Sequence, residues 1–341
     1  MLDAAVELLA GEDAYVVGGT VRDELLGREI VDLDIACREP QQAARAYADA
    51  AGGAAFPLSA THGGWRVALD DGRTVDFTPL DGTIEDDLAT RDFTINAIAR
   101  PLAGGPEYVD PFGGRDDLEA KLVRAVAADV FERDPLRLLR AVRFEDELGF
   151  AMERRTERLA AEQAGLVTRP AGERTLEVLR KLSVAGWRRL DGLGLLEPLG
   201  GSLDLADRAG AVDSADYRLV VFLQEAVGLL PVSRELRRYA VALLRSRAPG
   251  GSSAREIHRF RRQTEPWALE ALAFHGRLDL AATLEQARAS DPAEPLLRGD
   301  EFGVAPGPEI GKLIELIAEE RAAGTISTRE EALELVRRHA R

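Results

Sequence analysis

Residues 15–36 read YVVGGTVRDELLGREIVDLDIA, and the fold follows from how this stretch alternates. A short apolar run precedes a Gly18–Gly19 turn, a helical stretch closed by Gly27 comes next, and VDLDIA completes it. In a strand, residues two apart share a face. Asp32 and Asp34 therefore project together, while Val31, Leu33 and Ile35 turn to the core. Two carboxylates roughly 6–7 Å apart along a strand can converge on one hard cation. Mg²⁺ suits such a site, because it takes few protein carboxylates and completes its shell with water and phosphate oxygens. Gly18 and Gly19 permit close backbone approach, and the helix start behind them offers free N–H groups to phosphate. Arg22, one turn into that helix, reaches toward the same phosphates. The stretch is neither a Walker loop nor G-x-G-x-x-G. A D-x-D alone is an ordinary solvated strand face; the upstream context gives it weight. Asp76, on the face opposite Val75 and Phe77, is a candidate third carboxylate.

Residues 14–17, 33–36, 65–69 and 74–78 read as strands, and 41–51 as an Ala-rich helix. Beyond residue 125 the strand signals fade. Leu136, Leu139 and Val142, then Leu176, Leu179 and Leu182, recur at helical spacing, and turns fall at 192–194 and 248–253. Thr328 and Glu331 stand in capping-box spacing before the last apolar run, 332–336. At 341 residues, 45% hydrophobic and 30% charged, the chain can bury two or more cores. The apolar run 219–232 is broken by Gln224 and Glu225 and is too short to span a bilayer. No basic residue precedes the apolar part of the opening segment, so it does not read as a signal peptide. A single cysteine, Cys37, excludes a disulfide framework and a Cys-rich zinc site. A cytoplasmic, non-membrane protein is expected. His62, His258, His275 and His339 are scattered and none precedes an Asp, which argues against a metal-dependent phosphohydrolase.

At this point a resemblance becomes specific. GGTVRDELLG followed by VDLDIA resembles the first motif of the tRNA nucleotidyltransferase and bacterial poly(A) polymerase family, a branch of the polymerase-β-like nucleotidyltransferases. EDDLATRDFTINAI (85–98), DPFGGRDDL (110–118) and DPLRLLRAVRF (134–144) are similar to its second, third and fourth motifs, and APGPEIG (305–311) to its tail segment. The resemblance implies an α+β fold. A polymerase-β-like head with a small mixed sheet (1–125) would lead into a helical neck (126–185), then a helical body and tail (186–341). It implies Mg²⁺-dependent addition of CMP and/or AMP from CTP and ATP to a tRNA 3′ end, with Asp32 and Asp34 as metal ligands. A poly(A) polymerase shares the head motifs, and the compact body and PGPEIG tail lean toward tRNA. An inactive RNA-binding module would bind no nucleotide with Mg²⁺.

Asp134, Arg137, Arg140 and Arg143 recur every three residues, a slanted stripe on a helix that is commonly just a solvated face. Its functional reading rests on hydrogen-bond chemistry. Cytosine and adenine each set an exocyclic NH₂ donor beside a bare ring nitrogen, whereas uracil and guanine reverse that order. A carboxylate only accepts and a guanidinium only donates, so an Asp–Arg pair matches C and A and leaves U and G unpaired. The resemblance implies this use for Asp134 and Arg137, with Arg140 and Arg143 nearer phosphate or sugar. It implies that Gly19 and Arg22 face the leaving pyrophosphate. Arg91 would contact the nucleotide and Asp92 a ribose 2′-OH, while Asn96 and Asp110 brace turns. Family members often carry Glu where this chain has Arg133, and a second Arg where it has Thr90. Only 14 residues separate Asp76 from Arg91, a segment usually longer in complete CCA-adding enzymes and cut down in those that add only CC.

Net charge is −15, which by itself speaks against a nucleic-acid partner, but distribution matters more than the sum. Between 230 and 262 nine Arg face two Glu, a local excess of seven positive charges. Arg237, Arg238, Arg259, Arg261 and Arg262 are the candidate RNA phosphate contacts there.

Overall fold

A computed structural model describes residues 1–58, 63–102, 104, 107–292, 294–298, 301–302 and 307–339. His62 and the first part of the 305–311 segment lie outside the described residues. The chain divides into two compact units, one of residues 1–199 and one from Gly200 onward.

The first unit opens with α1 (Leu2–Leu8), β1 (Tyr15–Val17), α2 (Gly19–Leu25), β2 (Asp32–Cys37), α3 (Pro40–Ala51), β3 (Ala54–Pro57), β4 (Trp65–Ala68), β5 (Thr74–Pro79), α4 (Ile84–Ala89) and β6 (Ala99–Pro101). The six strands form one mixed sheet in the order β3-β4-β5-β2-β1-β6. All neighbours run antiparallel except β2 and β5, which are parallel. Leu33, Ile35, Val67, Val75 and Phe77 are fully buried in its core, and Phe77 meets the Tyr47 ring of α3 at 5.8 Å. Burying a large apolar side chain contributes about 1.5–3 kcal/mol, so alternation pins the register of β2 and β5. A one-residue slip would turn the Asp face into the core. Val31 departs from the expected alternation. It precedes the strand and is 50% exposed, because β2 begins at Asp32.

Next come α5 (Gly114–Glu119), β7 (Leu122–Val123), α6 (Val130–Arg133), α7 (Leu136–Leu148), β8 (Ala151–Met152), α8 (Arg154–Glu162), α9 (Gly172–Arg180) and α10 (Val184–Gly192). Strands β3, β6, β7 and β8 escaped the sequence reading. They are two to four residues long, and β8 lies past the point where strand signals faded. Asp110 caps α5, accepting from the Gly114 and Arg115 N–H groups at 2.7 and 2.9 Å. On α7, Leu136, Leu138, Leu139, Ala141, Val142 and Phe144 are buried, which turns the arginines between them outward. Gly149, left-handed at φ 68°, ends that helix.

The second unit is helical among its described residues: α11 (Ala215–Leu223), α12 (Arg234–Arg245), α13 (Ala254–Thr264), α14 (Ala268–Phe274), α15 (Ala281–Ala289), α16 (Pro308–Ala322) and α17 (Arg329–His339), with short 3₁₀ turns. Serine caps open α11, α12 and α13. The expected capping box before α17 is present. Thr328 N–H donates to Glu331 at 2.9 Å, and Glu331 N–H donates to the Thr328 hydroxyl at 3.2 Å. Leu313, Ile317, Ala332 and Val336 share one apolar cluster. Among the described residues no helix is long and apolar enough to cross a membrane.

Gly114 leaves no room for a side chain. A β-carbon there would overlap the Thr94 carbonyl and stand 2.7 Å from Ile98 Cγ1. Gly114→Ala is expected to lower stability by about 1–3 kcal/mol, read from urea denaturation; an unchanged midpoint would refute the contact.

Candidate active site

A cleft of about 1050 Å³ opens in the first unit. Its lining includes Gly18, Gly19 and Arg22 of the Gly-Gly turn and α2, Asp34 of β2, Thr90, Arg91 and Asp92 after α4, and Asp134, Arg137, Arg140, Arg143 and Phe144 around α7. Residues spread over some 125 positions of sequence thus meet on one surface.

Strand pairing fixes the acidic side. Asp34 lies directly across from Asp76, and Asp32 across from Thr74, whose hydroxyl donates to Asp32 at 2.7 Å. Thr20 of α2 ties β2 to the Gly-Gly turn: its hydroxyl donates to the Asp32 carbonyl at 3.0 Å and accepts from the Asp34 N–H at 2.8 Å. Gly18 has φ 66°, and a β-carbon there would lie 3.3 Å from Arg91 Nη1 and 3.5 Å from Asp34 Oδ2. The third carboxylate is otherwise engaged. Asp76 accepts both arms of Arg66, Nε and Nη2 each at 2.7 Å, from the facing position on β4. Sequence reasoning missed Arg66. The DDG turn between β4 and β5 was the available signal, since a hairpin register would have placed the two residues opposite one another.

Burial raises the Asp34 carboxyl to about 6, with Asp76 and Asp32 adding to the push and Arg91 and Arg66 opposing it. Among the described residues no group donates a hydrogen bond to that carboxylate. An acceptor-only group so placed, with Asp32 on the same strand face, fits a hard divalent cation. Among the described residues no three acidic, His or Cys side chains converge as a closed metal cage, which is compatible with an ion that takes its other ligands from water and phosphate.

The wall that carries Asp134 and Arg137 is built differently from the expected Asp–Arg pair. Asp134 accepts from Arg174 Nη2 at 2.8 Å and from the Leu136 N–H at 3.2 Å. Arg137 donates to the Thr90 and Arg91 carbonyls at 2.7 and 3.4 Å, and burial pushes its guanidinium below the usual arginine value. The two side chains share the cleft but are held from separate elements. Arg174, on α9, carried no sequence signal.

Arg22, Arg140 and Arg143 surround the Phe144 ring, 5.2, 5.3 and 4.5 Å from its centroid; Phe144 had no assigned role. Arg22 also donates to Asn96 at 2.8 Å and to Asp23. Arg91 is paired with Asp87. Asp92 is buried and accepts from Phe93 N–H, Asn96 and Arg140. Burial alone would raise its carboxyl, but Arg140 and these donors together hold it below the ordinary carboxylate range. Arg143 Nε is buried with no hydrogen-bond acceptor among the described residues, and Glu147 stands 3.6 Å from it as an ion-pair partner. In a chain of charge −15, this wall gathers the opposite sign.

The poly(A) polymerase head domain model matches residues 14–80 and 66–124. An A-adding tRNA nucleotidyltransferase from Deinococcus radiodurans is 32% identical, covering 96% of this chain and 95% of its own. A CC-adding tRNA nucleotidyltransferase from Geobacter sulfurreducens is also 32% identical, over 97% and 93%. The chain belongs to the tRNA nucleotidyltransferase family. Its fold is that of a CCA-adding enzyme solved with ATP (TM-score 0.79, 23% identity, 100% of this chain and 95% of that one). It is equally that of the Thermotoga maritima CCA-adding enzyme complexed with tRNA (TM-score 0.74, 24%, 99% and 95%). The expected polymerase-β-like head with a helical remainder is therefore correct. Enzymes of this family generally use a divalent metal.

In this family member's second unit, the five candidate RNA-contacting arginines divide. Arg259, Arg261 and Arg262 are ion-paired to Glu319, to Glu265 and Asp291, and to Glu315. Arg237 and Arg238 are exposed on α12. Arg238 lies 5.7 Å from the Trp267 ring centroid, and Arg237 makes no ion pair among the described residues.

The raised Asp34 carboxyl sets a pH dependence. The metal-free fold favours its protonated form, so the stability it contributes is present below its ordinary value of 3.8 and is lost as pH rises through about 6. Urea denaturation in EDTA from about pH 4 to 7 should show this decline in the wild type and a flatter profile in Asp34→Asn. Identical profiles would contradict the placement of Asp34.

Proposed function

We propose that this chain adds CMP and/or AMP, from CTP and ATP, to the 3′ end of tRNA without a template, using Mg²⁺ at Asp32 and Asp34, in the cytoplasm. The observation that carries the reading is a single cleft with the half-buried Asp34 carboxylate, free of hydrogen-bond donors among the described residues, on one wall and a donor and an acceptor, Arg137 and Asp134, on the other. In this reading residues 1–125 do the chemistry, 126–185 select the base, and the helical remainder holds RNA.

When bound, the metal would lower the pKa of the attacking 3′-hydroxyl and neutralise charge in the in-line transfer. The chain's own groups do the rest. Gly18 and Gly19 clear space for the triphosphate, and Arg22 and Arg143 meet its charge, Arg143 by giving up its long contact with Glu147. Arg91 stands where it can move from Asp87 to a phosphate. Asp92 is saturated by protein donors, so a ribose hydroxyl reaches it only by sharing Oδ2 with Arg140. Asp76, clamped by Arg66, serves as an electrostatic neighbour of the metal site.

Asp32→Ala with Asp34→Ala should cut incorporation by roughly three orders of magnitude or more while the melting temperature holds; retained activity would defeat the metal assignment. The short stretch between Asp76 and Arg91 fits CC addition or a loop trimmed or compensated elsewhere with A addition kept. Labelled CTP and ATP supplied to tRNA lacking its 3′ end decides this: efficient terminal A addition removes the CC reading, and an A-only tract points to a poly(A) polymerase.

Pairing separates the RNA-facing arginines. Arg237→Ala should weaken tRNA binding and lower the log–log salt slope by about 1. Arg259→Ala, whose charge is already matched by Glu319, should stay within roughly twofold of wild type. The reverse ranking would move the RNA track to α13.

A further inference from the structure

Arg174 touches no group assigned to phosphate or metal, yet it lines the cleft and spends its guanidinium on Asp134. We propose that Arg174 is a positioning residue for base selection, holding the Asp134 carboxylate where it accepts an exocyclic amino group and not a ring N–H. This rests on the reading of Asp134 and Arg137 as the base-facing pair.

Asp134 ends α6 in extended backbone, φ −145° and ψ 99°, so its side chain lacks the packing of a helix interior. Three hydrogen bonds fix it: the Leu136 N–H at 3.2 Å to Oδ1, and Arg174 at 3.4 Å to Oδ1 and 2.8 Å to Oδ2. A carboxylate accepts about four, so one acceptor site remains. Arg137 is held independently by the Thr90 and Arg91 carbonyls, leaving most of its five donors open. The acceptor–donor order that matches cytosine and adenine is therefore set by two braces from different elements.

Uracil presents the opposite order, and it pairs only when the carboxylate shifts along the base edge to meet the ring N–H. With Arg174 in place that shift breaks a charge-assisted two-armed contact. Without Arg174, Asp134 keeps only a backbone bond and is free to turn. Arg133, the local neighbour, cannot substitute, because it is paired with Asp129.

Steady-state incorporation of CTP and UTP onto tRNA lacking its 3′ end tests this. Arg174→Met, which keeps the stem and removes the charge, should lower the CTP-over-UTP preference in kcat/KM on the order of tenfold. Arg174→Lys should restore most of it, and inhibition by inorganic tripolyphosphate should not change. The Arg174 side chain is 54% exposed, so folding should survive, with melting temperature as the control; if the Met variant does not fold, Arg174→Gln decides. Wild-type preference in the charge-removed variant overturns the brace. Asp134→Ala separates the two levels. If it loses the preference while Arg174→Met keeps it, the brace alone fails; if Asp134→Ala keeps it, the base-reading assignment fails and the brace with it.

Discussion

Register between β2 and β5 is the constraint on which the site depends. It places Asp34 opposite Asp76 and Asp32 opposite Thr74, while Leu33, Ile35, Val75 and Phe77 disappear into the core. Core burial and acidic display are two faces of the same alternation, so the hydrophobic effect that folds the sheet also aims the carboxylates. The energy is modest per residue, but a slip of one residue would lose all of it together.

The electrostatics follow from that placement. Like charges collected on neighbouring strands repel, and the protein answers unequally. Asp76 receives a bidentate guanidinium, Asp32 a threonine hydroxyl at the edge, and Asp34 nothing among the described residues. An overall acidic molecule then lines the opposite wall of the cleft with arginines whose guanidinium groups gather round Phe144. Field and counter-field across one gap suit a ligand that brings both a cation and a polyphosphate.

Much of this was legible in the sequence because local rules coincide with global ones. The alternation in VDLDIA, the Gly-Gly turn and the helical spacing of Arg137, Arg140 and Arg143 each have short-range causes, and the structure places Asp34, Gly19, Arg22, Arg91, Asp92, Arg137, Arg140 and Arg143 around one cleft; Asp134 lines it too, but from extended backbone ahead of α7 and not from the expected helical stripe. What stayed hidden depends on long-range pairing. Arg66 matters through its cross-strand partner, Arg174 through a residue 40 positions away, and Thr20 through a bridge between α2 and β2. The edge strands β3 and β6 were too short to leave a period. The basic stretch 230–262 shows how charge read without partners misses neutralisation, since α13's arginines face glutamates of α16 and an aspartate just beyond α15.

Gly18 stands at the seam between the two walls. Its left-handed backbone disfavours any L side chain, and the space a methyl group would fill is bordered by an anionic oxygen and a cationic nitrogen. The torsional barrier is the steeper of the two, since the side-chain ends 3.3 and 3.5 Å from that methyl group can give way by a few tenths of an ångström. A larger residue there would therefore tell first on the path of the backbone, and only through it on the carboxylate and guanidinium that meet beside it.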